Sequence, residues 1–258
     1  MKLLIVATGG AVVFLIGYQF AVYQSVHGGF TLPHFNCINQ QQVGTASGCS
    51  SENNTNYCNC NNCYANGCCT SGGICEGKPV IYLYPTRTEK VNVKLSYVSG
   101  FSKTIPSYNP ISGWTVIAHP NGTLTNVTNH KTYPYLFWEG NPAKLNFKMS
   151  TGFVVKGSDV KSFLDSKLIQ IGLTHHETYA FIAYWLPKMK VSSYDLIHFN
   201  GTEYTSIAPL TITPKPDALL RVNMSFKPLN KFTTIPPQIF SHFHRKGFTV
   251  VEWGGAEF

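Results

Sequence analysis

Residues 78–85, Lys-Pro-Val-Ile-Tyr-Leu-Tyr-Pro, decide the fold class of this chain. Val80, Tyr82 and Tyr84 alternate with Ile81 and Leu83, so both sets of alternating positions carry apolar or aromatic side chains. A short, continuously apolar run that is closed by a proline is typical of a strand covered on both sides. The sequence therefore predicts a strand that is buried on both faces.

The residues beyond this strand continue the β pattern. Apolar positions from Val91 to Tyr97 alternate with polar ones, as in a strand half exposed to water. The segment Trp114–Ala118 leads into Asn121-Gly122, a pair that supplies the positive φ angles of a tight hairpin turn. Further strands are predicted at 133–138, 193–199, 205–213, 218–227 and 248–253.

Residues 158–187 have the period of helices and are predicted to be a helical insertion. Apolar residues between Val160 and Ile171 share one helical face, with Ser158 as the N-cap and Gly172 as the stop. A second helix is predicted to follow at once and to end at Pro187. Its start is indicated by Thr174 and Glu177, which have the spacing of a capping box.

These patterns together predict an α+β head domain over residues 78–258. We expect it to be mainly an antiparallel β sheet or sandwich with the helical hairpin on one side. Nineteen of the 20 Lys and Arg residues lie in this region and only ten acids accompany them, so its formal charge is +9 (19 − 10). The basic residues are scattered singly, which argues against nucleic acid as a partner.

A membrane anchor is predicted at residues 1–23. From Leu3 to Tyr23 the chain has no charged residue, and this length is about 31 Å as a helix, close to the hydrocarbon thickness of a bilayer. A cleaved signal peptide is the main alternative, but its apolar part is normally shorter. Lys2 favours the cytoplasm for the N-terminus, so the head is predicted on the extracytoplasmic or lumenal side.

Residues 24–77 are predicted to be a neck stapled by disulfides. The segment is rich in Gly, Asn, Ser and Gln and is too poor in large aliphatics to bury a core. Disulfide bonds are favoured in an oxidising compartment, although Cys58-x-Cys60-x-x-Cys63 would suit a metal if the thiols stayed reduced. All eight cysteines lie here: Cys37, Cys49, Cys58, Cys60, Cys63, Cys68, Cys69 and Cys75.

A carbohydrate site is one hypothesis for the head. Glu139 and Glu252 stand inside the aromatic segments Phe-Trp-Glu-Gly and Val-Glu-Trp-Gly-Gly. Carboxylates beside Trp rings are typical of clefts that stack on sugars and raise the pKa of an acid. The alternative is that each Glu caps a turn or pairs with a Lys. The candidate residues are Trp114, Trp138, Glu139, Glu252 and Trp253.

Other motifs give little chemistry. His175-His176-Glu177 lacks the second histidine that a zincin helix requires. His242 and His244 could hold a metal with Glu252, but surface histidines in a basic loop are commoner. We therefore assign no metal, no cofactor and no catalytic residue. Asn-x-Ser/Thr sequons, which would accept glycans in an exported protein, begin at Asn53, Asn121, Asn126, Asn200 and Asn223.

Five motifs in the head, taken in order, resemble a family of uncharacterised proteins from bacteria, fungi and other microbes. The resemblance covers residues 78–255 and implies a shared fold. It implies no established activity, so no catalytic residue is transferred. The motifs are Lys78–Pro85, Tyr135–Gly140, Gly152–Gly157, Tyr184–Pro187 and Val251–Gly255.

The function predicted from these features is that of a membrane-anchored structural or interaction protein. Its basic head would dock onto neighbouring proteins or glycans, at a cell surface or as a minor capsid component of a large membrane-containing virus. The alternative is an extracytoplasmic domain that binds or hydrolyses carbohydrate. A metal-dependent enzyme around His242 and His244 is a third and weaker hypothesis.

Overall fold

The described chain begins with two short antiparallel strands, β1 (Cys63–Tyr64) and β2 (Gly67–Cys68), in which Cys63 faces Cys68 in register. The computed structural model describes residues 63–64, 67–68 and 77–258. All of them belong to one unit of the chain, Thr45–Phe258. The other strands are β3 (Gly77–Tyr84), β4 (Glu89–Leu95), β5 (Phe101–Ile105), β6 (Trp114–Ala118), β7 (Leu124–Asn126), β8 (Thr132–Tyr133), β9 (Leu136–Gly140), β10 (Phe153–Lys156), β11 (Tyr194–Asn200), β12 (Leu210–Thr213), β13 (Ala218–Leu229) and β14 (Thr249–Glu257).

Two larger sheets contain the remaining strands. The first has seven strands in the order β10-β11-β13-β14-β3-β9-β5, and the second has five in the order β12-β4-β6-β7-β8. The sequence predicted antiparallel pairing, but β13 and β14 are parallel. That pairing is possible because the long connection between them, residues 230–248, returns the chain to the same end of the sheet.

Strand β3 explains why the domain has three layers. Val80 and Tyr82 belong to one core, which lies against the helices, and Ile81 and Leu83 belong to another, which lies against the five-stranded sheet. Successive side chains of a strand point to opposite faces, so the apolar run must be covered twice. The predicted burial of β3 on both faces is confirmed, since each of these four side chains is at most 3% exposed.

The helical layer consists of α1 (Val160–Ile171) and α2 (His175–Met189), and a third short helix, α3 (Thr202–Ile207), follows β11. The predicted capping box of Thr174 and Glu177 is confirmed: each side chain accepts a hydrogen bond from the other residue's backbone N–H. Asp159, and not the predicted Ser158, occupies the N-cap of α1. Helix α2 also continues through Pro187 to Met189.

Several strand predictions need correction. The single strand predicted at 133–138 is two strands, β8 and β9, which belong to different sheets. The segment 205–213 is α3 followed by the shorter β12. The predicted hairpin between β6 and β7 is confirmed, but only Gly122 of its Asn-Gly pair has a positive φ, +85°. The split between β8 and β9 arises because the partners of a strand are decided by residues distant in the sequence.

The predicted membrane topology is contradicted. Within residues 63–64, 67–68 and 77–258, no helix combines the length and the apolar character needed to cross a bilayer. The predicted anchor at residues 1–23 lies outside the described residues. The predicted single-pass membrane localisation is therefore contradicted by the described part of the chain.

The predicted disulfide-rich neck is also corrected. Among the residues that the structure describes, the fold is mostly β sheet with a few helices, and no disulfide bond is present. Only Cys63 and Cys68 of the eight cysteines fall within described backbone. The other six cysteines lie outside the described residues.

A buried ion pair links β13 to β14 in the core between the two sheets. Arg221 and Glu252 are register partners, and the Arg221 Nε donates to the Glu252 Oε2. Their side chains are 7% and 1% exposed. Trp138 donates from Nε1 to the other carboxylate oxygen at 3.1 Å, and the Tyr204 ring centroid lies 4.7 Å from the Arg221 guanidinium. Burial would lower the pKa of Arg221, but the Glu252 carboxylate outweighs that effect and raises it.

Arg221→Met leaves the Glu252 carboxylate buried without its cation, so we expect the free energy of unfolding to fall by about 3–5 kcal/mol. The double variant Arg221→Met/Glu252→Gln keeps an acceptor for Trp138 and removes both charges. Its free energy of unfolding should therefore fall by clearly less than that of the single variant. Urea unfolding of both variants measures the difference. Equal losses in the single and double variants would contradict this account.

Candidate functional site

The five residues of the predicted sugar site do not share a groove. Trp114 and Trp138 are at most 1% exposed in the core between the sheets, on the same face as Glu252. Trp253 and Glu139 lie on the opposite face of the seven-stranded sheet, towards the helices. All three Trp rings are buried and Glu252 is paired with Arg221, so Glu139 is the one acid or Trp of the set whose side chain is not committed to the core packing or to an ion pair among the described residues.

Three lysines, from β3, β5 and α2, are close enough to Glu139 for their charges to act on its carboxylate. The charges of Lys103, Lys78 and Lys188 all act on the Glu139 carboxylate. The ammonium groups of Lys78 and Lys188 lie 4.7 Å and 5.3 Å from the centroid of the Tyr184 ring. We call Lys78, Lys103, Glu139, Tyr184 and Lys188 the lysine–glutamate site.

Each member of the site is positioned by regular structure. Lys103 on β5 and Glu139 on β9 are register partners, so their side chains rise from the same face. Tyr184 and Lys188 are four residues apart on α2 and therefore lie on one side of that helix. Lys78 lies near the start of β3 and points to the helical face, as Val80 does.

Glu139 is unusual because its charge is poorly compensated by hydrogen bonds. The residue is 5% exposed, and its buried Oε2 has no hydrogen-bond partner among the described residues. Burial raises the pKa of the Glu139 carboxyl, while the positive charges of Lys103, Lys78 and Lys188 oppose that shift. A donor from a ligand would satisfy this oxygen, since a buried acceptor without a partner costs about 1–3 kcal/mol.

Lys78 has a buried amine and an unusual backbone. It is 5% exposed, and its φ of +45° is rare for a residue with a side chain. Burial lowers the pKa of Lys78 to about 8, and the negative charge of Glu139 offsets part of the shift. Such strain and such a shift are concentrated at functional sites in proteins.

Four of the five sequence motifs meet at this place. Lys78 comes from the first motif, Glu139 from the second, Tyr184 from the fourth and Trp253 from the fifth. The Lys78 ammonium lies 6.0 Å from the centroid of the Trp253 ring, which forms part of the floor beneath it. Sequence reasoning identified Glu139 and Trp253 but missed the lysines and Tyr184, because their meeting depends on strand order.

The described residues around the histidine motifs do not form a metal site. Glu177 is fully buried and accepts a hydrogen bond from Arg245 as well as capping α2. The rings of His242 and His244 contact each other with centroids 4.9 Å apart. No group of three potential metal ligands occurs in the described part of the chain.

The sequons differ sharply in exposure. Asn121 is exposed at the tip of a hairpin. Asn126 is 5% exposed, and the Asn200 Nδ2 donates to the Asn223 Oδ1 at 2.6 Å inside the sheet. Burial denies the last three side chains to a glycan in the folded protein. Asn53 lies outside the described residues.

Asp195 is a second buried acid that the sequence did not reveal. It is fully buried on β11, and neither carboxylate oxygen has a hydrogen-bond partner among the described residues. Burial raises the pKa of Asp195 to about 6; Ser192 offsets part of that shift and the charge of Glu257 adds to it. Burial also raises the pKa of Glu257, against the positive charge of Lys188.

A comparison with known proteins found a relative that matches a short part of this chain. A Butyrivibrio fibrisolvens protein named "Uncharacterized protein in bglA 3'region" is 42% identical to this chain over 65 residues. The match covers 25% of this chain and 66% of that protein, just under two thirds of its length. No family model matches the chain, and no solved structure matches it. The relative's name states no activity and therefore assigns none.

Asp195→Asn should stabilise the protein at neutral pH. The pKa of the folded Asp195 is about 6 and an unfolded Asp titrates near 3.9, so the folded state binds more protons between these values. Stability from this group is therefore present at low pH and is lost as the pH rises from about 4 to 6. We expect a gain of roughly 1–3 kcal/mol in the variant at pH 7 and little at pH 4. Thermal unfolding of both proteins across this range measures the change, and a constant difference would contradict it.

Proposed function

We propose that the domain binds a carboxylate-bearing sugar, such as a uronic acid residue of an acidic glycan, at the lysine–glutamate site. One observation carries the proposal: the charges of three lysines act on a buried carboxylate, Glu139, whose Oε2 has no hydrogen-bond partner among the described residues. The site thus combines three ammonium groups, one carboxylate and an acceptor atom that has no partner among the described residues. A ligand that carries both a carboxylate and hydroxyl groups would complement the ammonium groups and the acceptor.

The positive charges are suited to the carboxylate of the ligand. Lys103 and Lys188 are partly exposed, so their ammonium groups can be reached from solvent. Lys78 is more buried and would contribute its charge from beneath. Ammonium–carboxylate hydrogen bonds are stronger than neutral ones, particularly where water is partly excluded.

Glu139 and Tyr184 are suited to the neutral part of a sugar. A hydroxyl group that donates to the Glu139 Oε2 would remove the cost of a buried unpaired acceptor. Tyr184 is half-buried and places an aromatic ring beside Lys78 and Lys188. Inorganic anions and simple carboxylates lack the hydroxyl donors and would use only the cationic half of the site.

The lysine–glutamate site supports only one part of the functions predicted from the sequence. Docking onto glycans is the part of the interaction hypothesis that the site supports, through Glu139 and the lysines in place of the buried Trp114 and Trp138. Docking onto protein partners stays a prediction. Hydrolysis is not proposed, because Glu252, the second carboxylate of that hypothesis, is bound to Arg221 on the other face of the sheet.

Binding of oligogalacturonate to the full-length chain tests this function. Isothermal titration calorimetry at low salt should show binding of oligogalacturonate and none of a neutral galacto-oligosaccharide of equal length. Lys103→Met and Lys188→Met should each weaken binding roughly tenfold, as expected for the loss of one charge-assisted hydrogen bond.

Lys215→Met provides the matched control. Lys215 is an exposed lysine on the connection between β12 and β13, so the variant loses the same charge away from the site. We expect its affinity to change by less than about twofold, since distant surface charges are screened. Equal weakening by Lys215→Met and Lys103→Met, or equal binding of the neutral sugar, would contradict the proposed site.

A further inference from the structure

Lys78 has the environment of a reactive amine. Among the described residues its ammonium group forms no ion pair, and it lies over two aromatic rings, 4.7 Å from the Tyr184 centroid and 6.0 Å from the Trp253 centroid. A lysine that only balanced Glu139 would be expected to contact the carboxylate directly, as Arg221 contacts Glu252. Partial desolvation without a direct counter-ion favours the neutral form of the amine.

We propose that Lys78 is a nucleophile that forms an imine with an aldehyde whose carboxylate is held by Lys103 and Lys188. This inference rests on the proposed function, because the same two lysines bind the carboxylate in both. A uronic acid at the reducing end of a glycan satisfies the requirement, since its open-chain form carries an aldehyde and a carboxylate. The inference adds a reversible covalent step to noncovalent binding.

The step needs no oxidant and no reductant. The neutral Lys78 Nζ attacks the carbonyl carbon, the N–C bond forms, and the carbonyl π electrons move to oxygen, which takes up a proton while nitrogen gives one up. The resulting carbinolamine then loses its hydroxyl group as water, while nitrogen gives up a proton and the C=N bond forms. Amine and aldehyde become imine and water, and hydrolysis reverses the reaction.

Glu139 is placed to transfer these protons. Its carboxylate is close enough to Lys78 for the charge of each to shift the pKa of the other. Burial raises the pKa of Glu139, which makes this carboxyl a better proton donor to the departing hydroxyl group than an ordinary glutamate would be. The lowered pKa of Lys78, about 8, supplies neutral amine at physiological pH.

Reductive trapping of the full-length chain tests the inference. The protein is incubated at pH 7.5 with glyoxylate, an anionic aldehyde, or with glycolaldehyde, a neutral aldehyde of similar size, and each imine is reduced with cyanoborohydride. Peptide mass spectrometry then measures labelling of Lys78 and Lys215 in the same sample. With glyoxylate, we expect Lys78 to be labelled at least about tenfold faster than Lys215, because more of its amine is neutral.

Variants separate the nucleophile from the anion site. Lys78→Arg keeps a positive charge but cannot form an imine, so the selective label should disappear. Lys103→Met keeps the nucleophile but removes part of the anion site. The labelling rate of Lys78, divided by that of Lys215 in the same sample, should therefore no longer be higher with glyoxylate than with glycolaldehyde. Both variants must be folded, which is checked by circular dichroism spectra and melting curves that match those of the wild type.

The outcomes distinguish this inference from the proposed function. Binding of an oligogalacturonate whose reducing end has been reduced to the alditol, without selective labelling of Lys78, would overturn the imine and leave the binding function standing. Labelling of Lys78 that is no faster than Lys215, or equal with both aldehydes, also overturns the imine. Absence of both binding and labelling would overturn the two together.

Discussion

The double-sided burial of the seven-stranded sheet is the constraint on which the structure depends. Strand β3 presents Val80 and Tyr82 to the helices and Ile81 and Leu83 to the second sheet. Neither face tolerates water, so the helices and the five-stranded sheet must both be present. At about 25 cal/mol per Å² of buried apolar surface, loss of either layer would expose more hydrophobic area than a marginally stable domain can tolerate.

The same constraint creates the lysine–glutamate site. Where the helical layer ends, the face of the sheet passes from apolar core to solvent, and charged residues stand at the boundary. Lys78 and Glu139 are therefore mostly removed from water, yet the described residues provide no direct ion pair between them. Arg221 and Glu252 show the contrasting arrangement on the other face. There the two charged groups of a buried pair contact each other directly, and Trp138 donates a hydrogen bond to the same carboxylate, so the pair stabilises the fold.

Much of the local structure could be predicted, whereas the chain's compartment and neck could not. Alternation identified β3 and the half-exposed β4, and the capping box at Thr174 identified the start of α2. The membrane anchor and the disulfide neck were inferred from hydropathy and cysteine density. The described residues contain no helix suited to a bilayer and no disulfide, which contradicts those inferences. Of the candidate site, Glu139 and the neighbouring Trp253 were identified, whereas the predicted Trp114 and Trp138 lie on the other face of the sheet.

The sequence by itself determined which segments are strands and helices and which of their faces are apolar, because those properties have periods of two or 3.6 residues and are local. Only the tertiary structure decided which strands became neighbours. The parallel pairing of β13 with β14 and the insertion of β3 between β14 and β9 bring together side chains that are far apart in the chain. Lys78, Glu139 and Tyr184 meet for that reason, and their desolvation arises from layers that cover them from elsewhere in the chain.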